Sequence, residues 1–276
     1  MTQPTVAFQG ERGSFSEEAA YKLLGRKIRL QPCETFAAMF QSVVAGKTRY
    51  CLAPIENTLA GSVYENYDLL LDNDLHIIAE VGLRIVHNLI ALPGTSLKDV
   101  REAYSHPVAL AQCSRFFARH PQIKKKVFYD TAGAVKMLAE KKPAGAAAIA
   151  SRVAASVYKA RILQEHLEDH RENYTRFLLL SRSAKVSPRA NKISIVFSTK
   201  NVPGALFRCL SAFSLRDINL TKIESRPLRG RPWEYFFYLD FEGHVKDERT
   251  HRALAHLGEL TTLLRVLGCY EGGKKK

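Results

Sequence analysis

Short apolar runs alternate with longer amphipathic segments over about the first 180 residues of the chain. The runs are bounded by glycine, proline and capping residues, and they predict strands at 5–9, 28–33, 50–55, 76–92, 103–104, 127–129, 146–150 and 177–180. Helical spacing and caps predict helices at 14–25, 35–46, 64–71 and 107–119, one opened by Thr131, and one at 151–160. These repeated strand–helix units predict an α/β fold with mainly parallel sheets, in two lobes with a cleft between them.

A polar stretch at 181–191 lacks apolar periodicity and predicts a linker, after which a second compact pattern begins. Strands are expected at 192–198, 218–225, 234–241 and 267–270, helices at 203–215 and 247–264, and a turn at Arg229-Gly230-Arg231-Pro232. The order βαββαβ is typical of a ferredoxin-like unit. We therefore predict a first domain at 1–181, a linker at 182–191 and a second domain at 192–276.

Composition and charge limit the possible partners. No apolar run approaches the ~18 residues that a membrane span needs. The net charge of +14 is spread over both halves of the chain, with only two short lysine runs, at 124–126 and 274–276. A nucleic-acid interface would need a concentrated basic face with interleaved aromatic residues, so we expect neither nucleic acid nor membrane as a partner. A diffuse positive field instead favours a small anionic ligand.

The cysteines and the N-terminus predict a cytoplasmic protein. Five dispersed cysteines without a Cys-x-x-Cys pair are typical of reduced, buried thiols. Met1-Thr2-Gln3-Pro4 leads directly into the first predicted strand, which leaves no room for a signal peptide or a fused helical domain.

Four polar signatures follow the ends of apolar runs. They are Pro54-Ile55-Glu56-Asn57, Ser105-His106-Pro107, Gln112-Cys113, and Asn173-Tyr174-Thr175-Arg176-Phe177. Strand ends are where α/β proteins present side chains to ligands. The signatures supply hydroxyl, amide and carboxyl groups rather than a metal or phosphate motif, so we expect them to converge on a small polar substrate.

Read together with other motifs, these signatures resemble the monofunctional bacterial prephenate dehydratases, which carry a C-terminal ACT domain. The further motifs are Gly10-Glu11-Arg12-Gly13-Ser14-Phe15-Ser16, Thr58 with Gly61-Ser62-Val63, Ala109-Leu110, Thr131-Ala132, Ala147-Ala148-Ile149-Ala150-Ser151, Gly204-Ala205-Leu206-Phe207 and Glu224-Ser225-Arg226-Pro227. The resemblance covers nearly the whole chain in order. It implies a catalytic domain like a periplasmic binding protein, and a regulatory ACT domain.

The resemblance also implies the reaction, in which prephenate becomes phenylpyruvate, water and carbon dioxide during phenylalanine synthesis. Because the ring gains aromaticity as hydroxide and carbon dioxide leave, no cofactor or metal is expected; the protein need only assist both departures. The implied catalytic residues are Thr175, Glu56, Asn57, Ser105 and Gln112. The implied substrate-binding residues are Ser14, Thr58, Gly61, Thr131, Arg176 and Phe177.

The family assigns the central role to the threonine of Thr175-Arg176-Phe177. Since a threonine hydroxyl is a weak acid, we hypothesise that Thr175 hydrogen-bonds the leaving hydroxyl and relays a proton from a protonated Glu56. Ser105, Asn57 and Gln112 would be polar positioners, and Arg176 a clamp for the pyruvyl carboxylate. The alternatives are structural: Asn57 and Ser105 could form turns or caps, and Arg176 could pair with Asp169 and Glu172.

For the second domain the resemblance implies binding of L-phenylalanine as a feedback effector, at an interface between copies in a homodimer or homotetramer. The implied effector residues are Gly204, Ala205, Leu206, Phe207, Asn219, Leu220, Glu224, Ser225, Arg226 and Pro227. The start of the helix after Gly204 would favour the ligand's carboxylate. Glu224 could meet its ammonium group or pair with Arg226 or Arg229.

Three other functions are compatible with parts of the pattern. An arogenate dehydratase would perform the same elimination on the transaminated substrate, and only an assay of both substrates separates the two. A solute-binding module would bind its ligand without turnover, so Thr175→Ala would cost it nothing. A nucleic-acid regulator with an amino-acid sensor would need a helix-turn-helix or basic stripe. Separately, His166 and His170 have a spacing that could bind a metal, or they could lie on a solvated helix face.

Overall fold

A computed structural model describes residues 3–228 and 230–273. Arg229 of the predicted turn and the lysine run at 274–276 lie outside the described residues. Contacts divide the chain into two compact units. The first consists of the residues up to Leu69 together with Val81–Leu178, and the second of Leu70–Glu80 together with the residues from Leu179 onward.

Strands and helices alternate over most of the chain, as the pattern predicts. In the first part of the chain they are β1 (Thr5–Gln9), α1 (Phe15–Leu24), β2 (Arg29–Cys33), α2 (Phe36–Val44), β3 (Tyr50–Asn57), β4 (Gly61–Ser62), α3 (Tyr64–Asp72), β5 (His76–Arg84), β6 (Asn88–Ala91), a 3₁₀ turn (Leu97–Asp99), β7 (Glu102–Ser105), α4 (Pro107–Ala111), α5 (Ser114–Arg119), β8 (Lys124–Val127), α6 (Thr131–Lys141), β9 (Ala146–Ala150), α7 (Arg152–Val157), β10 (Arg161–Gln164) and β11 (Tyr174–Ser181). The remainder are β12 (Lys192–Ser198), α8 (Ala205–Ser214), β13 (Leu220–Pro227), β14 (Tyr235–Glu242), α9 (Glu248–Leu260) and β15 (Leu263–Tyr270).

Two separate sheets form the two predicted lobes. The first sheet has the order β2-β1-β3-β11-β5, with β4 paired to β3, and the second has the order β10-β6-β9-β7-β8. β1 pairs parallel with β2 and β3, and β7 pairs parallel with β8 and β9. The pairs β3–β4, β6–β9 and β6–β10 are antiparallel. The two-lobed α/β fold is confirmed, but its sheets are mixed rather than mainly parallel.

The single strand predicted at 76–92 is two strands in different sheets. β5 belongs to the first sheet and β6 to the second, so residues 85–87 carry the chain from one lobe to the other. The Ile85 N–H donates to the Asn173 carbonyl at 2.8 Å instead of to a neighbouring strand of a sheet. Apolar residues are buried on both sides of the crossing, so the apolar pattern does not separate the two strands.

The helix predicted at 107–119 is also divided in two, as α4 and α5. The Asp169 carboxylate accepts from the N–H groups of Ser114 and Arg115 at 2.8 and 2.9 Å, and so stabilises the start of α5. The break leaves Gln112 outside both helices.

Three smaller expectations are corrected. The strand predicted at 127–129 is β8 at Lys124–Val127, so the lysine run is an edge strand, where lysine discourages pairing with other chains. β10 was not predicted. The predicted helix bearing His166 and His170 is absent from that described stretch, since residues 165–173 form neither helix nor strand and His166 has a φ of 57°.

The second unit contains the predicted βαββαβ fold. β12, β13, β14 and β15 form a sheet of order β13-β14-β12-β15, so β13 lies at an edge, and the β12–β14, β12–β15 and β13–β14 pairs are antiparallel. Ile193, Ile195 and Phe197 pack with Phe213 and Leu257 in the core. Across the described chain, no helix combines the length and apolarity needed to cross a bilayer.

Candidate active site

Thr175 lies where the end of β3 meets the start of β11. β3 extends two residues beyond the predicted end of that strand, to Asn57, and Thr175 is the second residue of β11 rather than a residue before it. The Thr58 N–H donates to the Tyr174 carbonyl at 2.9 Å, and the Tyr174 N–H donates to the Thr58 hydroxyl at 3.0 Å. These contacts hold two segments over 110 residues apart in sequence side by side.

The Asn57 side-chain amide is the centre of the polar cluster. Its nitrogen donates to the Asn173 side-chain oxygen at 2.8 Å and to the Thr175 hydroxyl at 3.0 Å. Its oxygen accepts from the backbone N–H groups of Leu59 and Ala60 at 3.0 and 2.8 Å. Among the described residues, no acceptor takes the Thr175 hydroxyl proton, so that proton can be donated outward.

Gln112, which follows α4 in the second lobe, links that lobe to the cluster by hydrogen bonds. Its side-chain oxygen accepts from the Asn173 amide at 2.9 Å, and its nitrogen lies 3.5 Å from the Asn57 oxygen. The Asp169 N–H donates to the Gln112 carbonyl at 2.7 Å and fixes its backbone. Of the predicted catalytic residues, the structure therefore brings together Thr175, Asn57 and Gln112.

Ser105 is placed differently. It is 0% exposed and donates its hydroxyl proton to the Ile149 carbonyl at 2.6 Å, which ties β7 to β9. Its oxygen retains acceptor capacity only. Among the described contacts none joins it to Thr175, so its predicted part in catalysis remains a prediction.

Glu56 and Arg176 are sequence neighbours of the cluster. Glu56 directly precedes Asn57, and Arg176 directly follows Thr175. Because successive side chains of a strand alternate between faces, we expect Glu56 and Arg176 on the face opposite to Asn57 and Thr175. Both side chains are half-buried. Phe177 shares the face of Thr175 and is buried. The roles of Glu56 as proton source and of Arg176 as clamp stay predictions.

Gly61 and Thr58 shape the end of β3. Gly61 pairs with Asn57 across the β3–β4 hairpin and has a φ of 84°, a conformation that favours glycine. The Thr58 hydroxyl donates to the Glu172 carbonyl at 2.7 Å. Both predicted substrate-binding residues thus support the hairpin beside Asn57.

The loop before α1 contacts the second lobe. The Gly13 carbonyl accepts from the Ser151 hydroxyl at 2.6 Å, and a Cβ on Gly13 would lie 2.6 Å from the Ala154 backbone. The Glu11 carboxylate accepts from the Tyr129 hydroxyl at 3.1 Å and from the Lys136 ammonium at 3.0 Å. Burial, with Glu11 nearby, raises the pKa of Tyr129 to about 12, so this phenol stays protonated. The loop therefore joins the lobes.

Ser14 and Thr131, both predicted to bind substrate, lie at helix starts. The Ser14 hydroxyl accepts from the Glu17 N–H at 3.4 Å and caps α1, as predicted. Thr131 is the first residue of α6, whose cap is Asp130. Burial raises the pKa of Asp130. Their contact with substrate stays a prediction.

Sequence reasoning missed His87 and gave no role to Asn173. His87 is 2% exposed and its Nε2 lies 2.9 Å from the Gln112 side-chain oxygen. Asn173 is 0% exposed and joins Asn57 to Gln112. The available signal was the polar His87-Asn88 pair inside an apolar run, since a buried polar pair needs partners.

The predicted effector residues fall into separate places in the described chain. Gly204–Phe207 line a pocket of about 210 Å³ together with Val202, Trp233 and Tyr235. Asn219 lines a different pocket of about 760 Å³, next to Asp217 and Glu242. Glu224 lies on the edge strand β13, 3.5 Å from the Lys222 ammonium, and its predicted pairing with Arg226 or Arg229 stays a prediction. Among the described residues, none of positions 219–227 lines the Gly204 pocket.

The histidine and carboxylate side chains do not form a metal site in the described part of the chain. No group of three or more His, Cys, Asp or Glu side chains there is arranged to hold a metal ion. His166 instead lies 3.4 Å from the Glu168 carboxylate.

Fold and site together define a two-lobed α/β enzyme domain with a hydroxyl–amide centre, followed by a ferredoxin-like domain. A sequence model for prephenate dehydratase matches residues 6–185, and a model for the ACT domain matches residues 193–258. The chain belongs to the prephenate dehydratase family.

Individual relatives agree with this membership. The chain is 45% identical over 276 residues to an Arabidopsis thaliana chloroplastic protein named arogenate dehydratase/prephenate dehydratase 2, and the match spans 96% of this chain and 72% of the relative. A prephenate dehydratase from Arthrobacter aurescens, solved in complex with L-Phe, is 33% identical with a TM-score of 0.88, covering 96% of this chain and 89% of that one. A structure described as GqqA, a novel type of quorum quenching acylase, is also 33% identical with a TM-score of 0.89, covering 96% and 97%.

Proposed function

We propose that this chain converts prephenate into phenylpyruvate, carbon dioxide and water, as a step in L-phenylalanine synthesis. The observation that carries the proposal is the Thr175 hydroxyl, which accepts from Asn57 and has no acceptor for its own proton among the described residues. Membership of the prephenate dehydratase family supports the reaction.

The elimination requires one proton and two bond cleavages. The ring C–O bond breaks as hydroxide leaves, and the bond to the ring carboxylate breaks with its electron pair entering the ring. Thr175 donates to the departing oxygen, which leaves as water, and the proton is replaced on Thr175 from Glu56 or solvent. The aromatic ring drives the step, so the protein's task is placement of the donor and release of the carboxylate into a favourable environment.

Arogenate is the second candidate substrate, because the relative named above carries both activities in its name. An acylase function, suggested by the name of the GqqA structure, would need an activated nucleophile. The only described partner of the Thr175 hydroxyl is an amide nitrogen that donates, and such a group cannot remove the threonine proton. The geometry therefore favours proton donation over nucleophilic attack.

The test is an assay of phenylpyruvate or phenylalanine formed from prephenate and arogenate in parallel. We expect turnover of prephenate that Thr175→Ala lowers by about 10²–10⁴-fold, and a higher kcat/KM for prephenate than for arogenate. A preference for arogenate would reassign the substrate. Turnover of neither, or Thr175→Ala with full activity, would refute the proposed function.

The second unit is proposed to bind L-phenylalanine as a feedback effector in a homodimer or homotetramer. Its support is the ACT match, the L-Phe complex of the Arthrobacter relative and the pocket at Gly204. Five cysteines without disulfides favour a reducing, cytoplasmic location. Activity measured with and without phenylalanine, and the molar mass in solution, test these proposals.

A further inference from the structure

His87 occupies the junction between the lobes, in the segment that joins β5 to β6. Its ring packs edge-on against Phe15 with centroids 5.6 Å apart, and its Nε2 lies 2.9 Å from the Gln112 oxygen. Its backbone N–H donates to the Glu168 carboxylate at 3.0 Å. The other ring nitrogen, Nδ1, is buried with no hydrogen-bond partner among the described residues.

The backbone of the β3–β4 hairpin fixes the orientation of the Asn57 amide. The N–H groups of Leu59 and Ala60 can only donate, so the Asn57 atom facing them must be oxygen. The Asn57 nitrogen therefore faces Asn173, which must present its own oxygen.

The same logic continues into the second lobe. Because the Asn173 oxygen accepts from Asn57, the Asn173 nitrogen must face Gln112. The Gln112 atom that accepts from this nitrogen must therefore be oxygen. That oxygen can bind His87 only if the imidazole donates from Nε2. The ring is therefore the tautomer with hydrogen on Nε2, and the bare Nδ1 is the atom left without a partner.

The neutral form of this ring is favoured by its surroundings. Burial lowers the pKa of His87, and the bond to Gln112 and the nearby Glu168 carboxylate oppose that shift only in part. A neutral donor suits the site, because it orients the amides without placing a charge beside the substrate.

We propose that His87 is a positioning residue for Thr175, acting through Gln112, Asn173 and Asn57; the proposal rests on the dehydratase function proposed above. The Nε2–H is the second donor to the Gln112 oxygen and holds the amide against rotation. Without it, Asn173 is the one side-chain donor that remains for that oxygen among the described residues, and the donor that orients the Thr175 hydroxyl is less firmly held.

The test compares His87→Phe with His87→Gln. Phenylalanine keeps the ring against Phe15 and removes the donor, whereas glutamine places an amide nitrogen near the position of Nε2. We expect His87→Phe to lower kcat by about 10²-fold, as misplacement of a reacting group does. KM should change less than about threefold, because the substrate contacts remain. His87→Gln should recover most of the lost kcat, and His120→Phe, beside Phe116 on the second lobe, should match the native protein.

Two kinetic outcomes overturn the proposal: a native kcat in His87→Phe, or an equal loss in both His87 variants while both remain folded by circular dichroism. Nitrogen-15 chemical shifts of the native imidazole give a readout independent of activity. Hydrogen on Nε2 supports the proposal, and hydrogen on Nδ1 refutes it even if His87→Phe does not fold. A native protein that turns over neither substrate refutes the proposed function instead, and the nitrogen shifts still test the hydrogen-bond chain.

Discussion

The Thr175 cluster and the effector motifs differ in how much of each site one chain supplies. Three of the five predicted catalytic residues meet in one hydrogen-bonded cluster, although they come from both lobes. The predicted effector residues are divided between the Gly204 pocket, the pocket at Asn219 and the edge strand β13.

The Thr175 cluster and the Gly204 pocket also differ in how their side chains are satisfied or exposed. Around Thr175, the side-chain amides of Asn57, Asn173 and Gln112 form hydrogen bonds with one another within the chain. In the second unit, Phe207 and Trp233 at the Gly204 pocket are 75% and 77% exposed. Large exposed apolar side chains are typical of interaction surfaces. The comparison teaches that the fold of one chain brings Thr175, Asn57 and Gln112 together, whereas the proposed effector motifs stay apart within one chain, which is consistent with the oligomer that we propose.

The largest expected effect is the loss of the Thr175 hydroxyl. Thr175→Ala should lower kcat by about 10²–10⁴-fold, the range of proton-transfer assistance, with an unchanged melting temperature. Thr175→Ser, which keeps the hydroxyl, should retain most of the activity. Equal losses in the two variants would show that the methyl group, and not the hydroxyl, matters.

The second-largest expected effect is the loss of the Asn57 side-chain donor. Asn57→Asp places a carboxylate oxygen 2.8 Å from the Asn173 oxygen, where a donor stood, and 3.0 Å from the Thr175 hydroxyl, whose proton this oxygen would accept. We expect kcat to fall by about 10²-fold, because the hydroxyl then donates to Asp instead of to the substrate. The measurement is steady-state kinetics with prephenate, and a loss in KM alone would contradict the positioning role.

Because we expect Glu56 on the face opposite to Thr175, a relay from Glu56 would run through water. Such a relay predicts a change in pH dependence. Glu56→Gln removes the ionisable group but keeps the size of the side chain, so kcat should fall by roughly 10–10²-fold and the acid-dependent part of the pH–rate profile should flatten. Full activity with an unchanged profile would eliminate the relay and leave solvent as the proton source.

A substitution in the proposed effector pocket should change the response to phenylalanine and leave the turnover measured without phenylalanine unchanged. Phe207→Ala removes an exposed apolar contact at the Gly204 pocket, so the phenylalanine concentration for half-maximal response should rise about tenfold, a change of ~1.4 kcal/mol. Leu215→Ala is the control, since Leu215 is equally exposed but does not line that pocket. If both variants shift the response alike, the pocket is not the effector site.

The smallest effect concerns stability at low pH. Burial lowers the pKa of His87 below its ordinary value of 6.5, while Glu168, itself 3.5 Å from Arg84, partly opposes the shift. Below pH 6.5 the unfolded chain binds a proton at this position and the folded chain does not, so stability falls as the pH falls toward the folded pKa. The slope is at most about 1.4 kcal/mol per pH unit. Urea unfolding at two pH values should show a smaller decrease for His87→Gln than for the native protein.

Much of the architecture was predictable because it is encoded locally. β1, β9 and β12 have the predicted bounds, and Ser14 and Thr35 cap α1 and α2 as expected. The errors occur where tertiary contacts override a local pattern. Asp169 stabilises a new helix start inside the segment predicted as one helix, and the Asn173 carbonyl binds Ile85 where the chain leaves the first sheet.

By itself, the sequence determined the family and most of the order of the elements, and it predicted Thr175 as the central hydroxyl, because ordered motifs and strand ends are local features. Only the tertiary structure decided which side chains form hydrogen bonds with one another. The contact from Asn57 to Thr175 spans 118 positions and that from Gln112 to Asn173 spans 61, so no local pattern records them. His87 acquired its proposed role in the same way, since a buried imidazole gains a defined tautomer only from the partner that folding places against it.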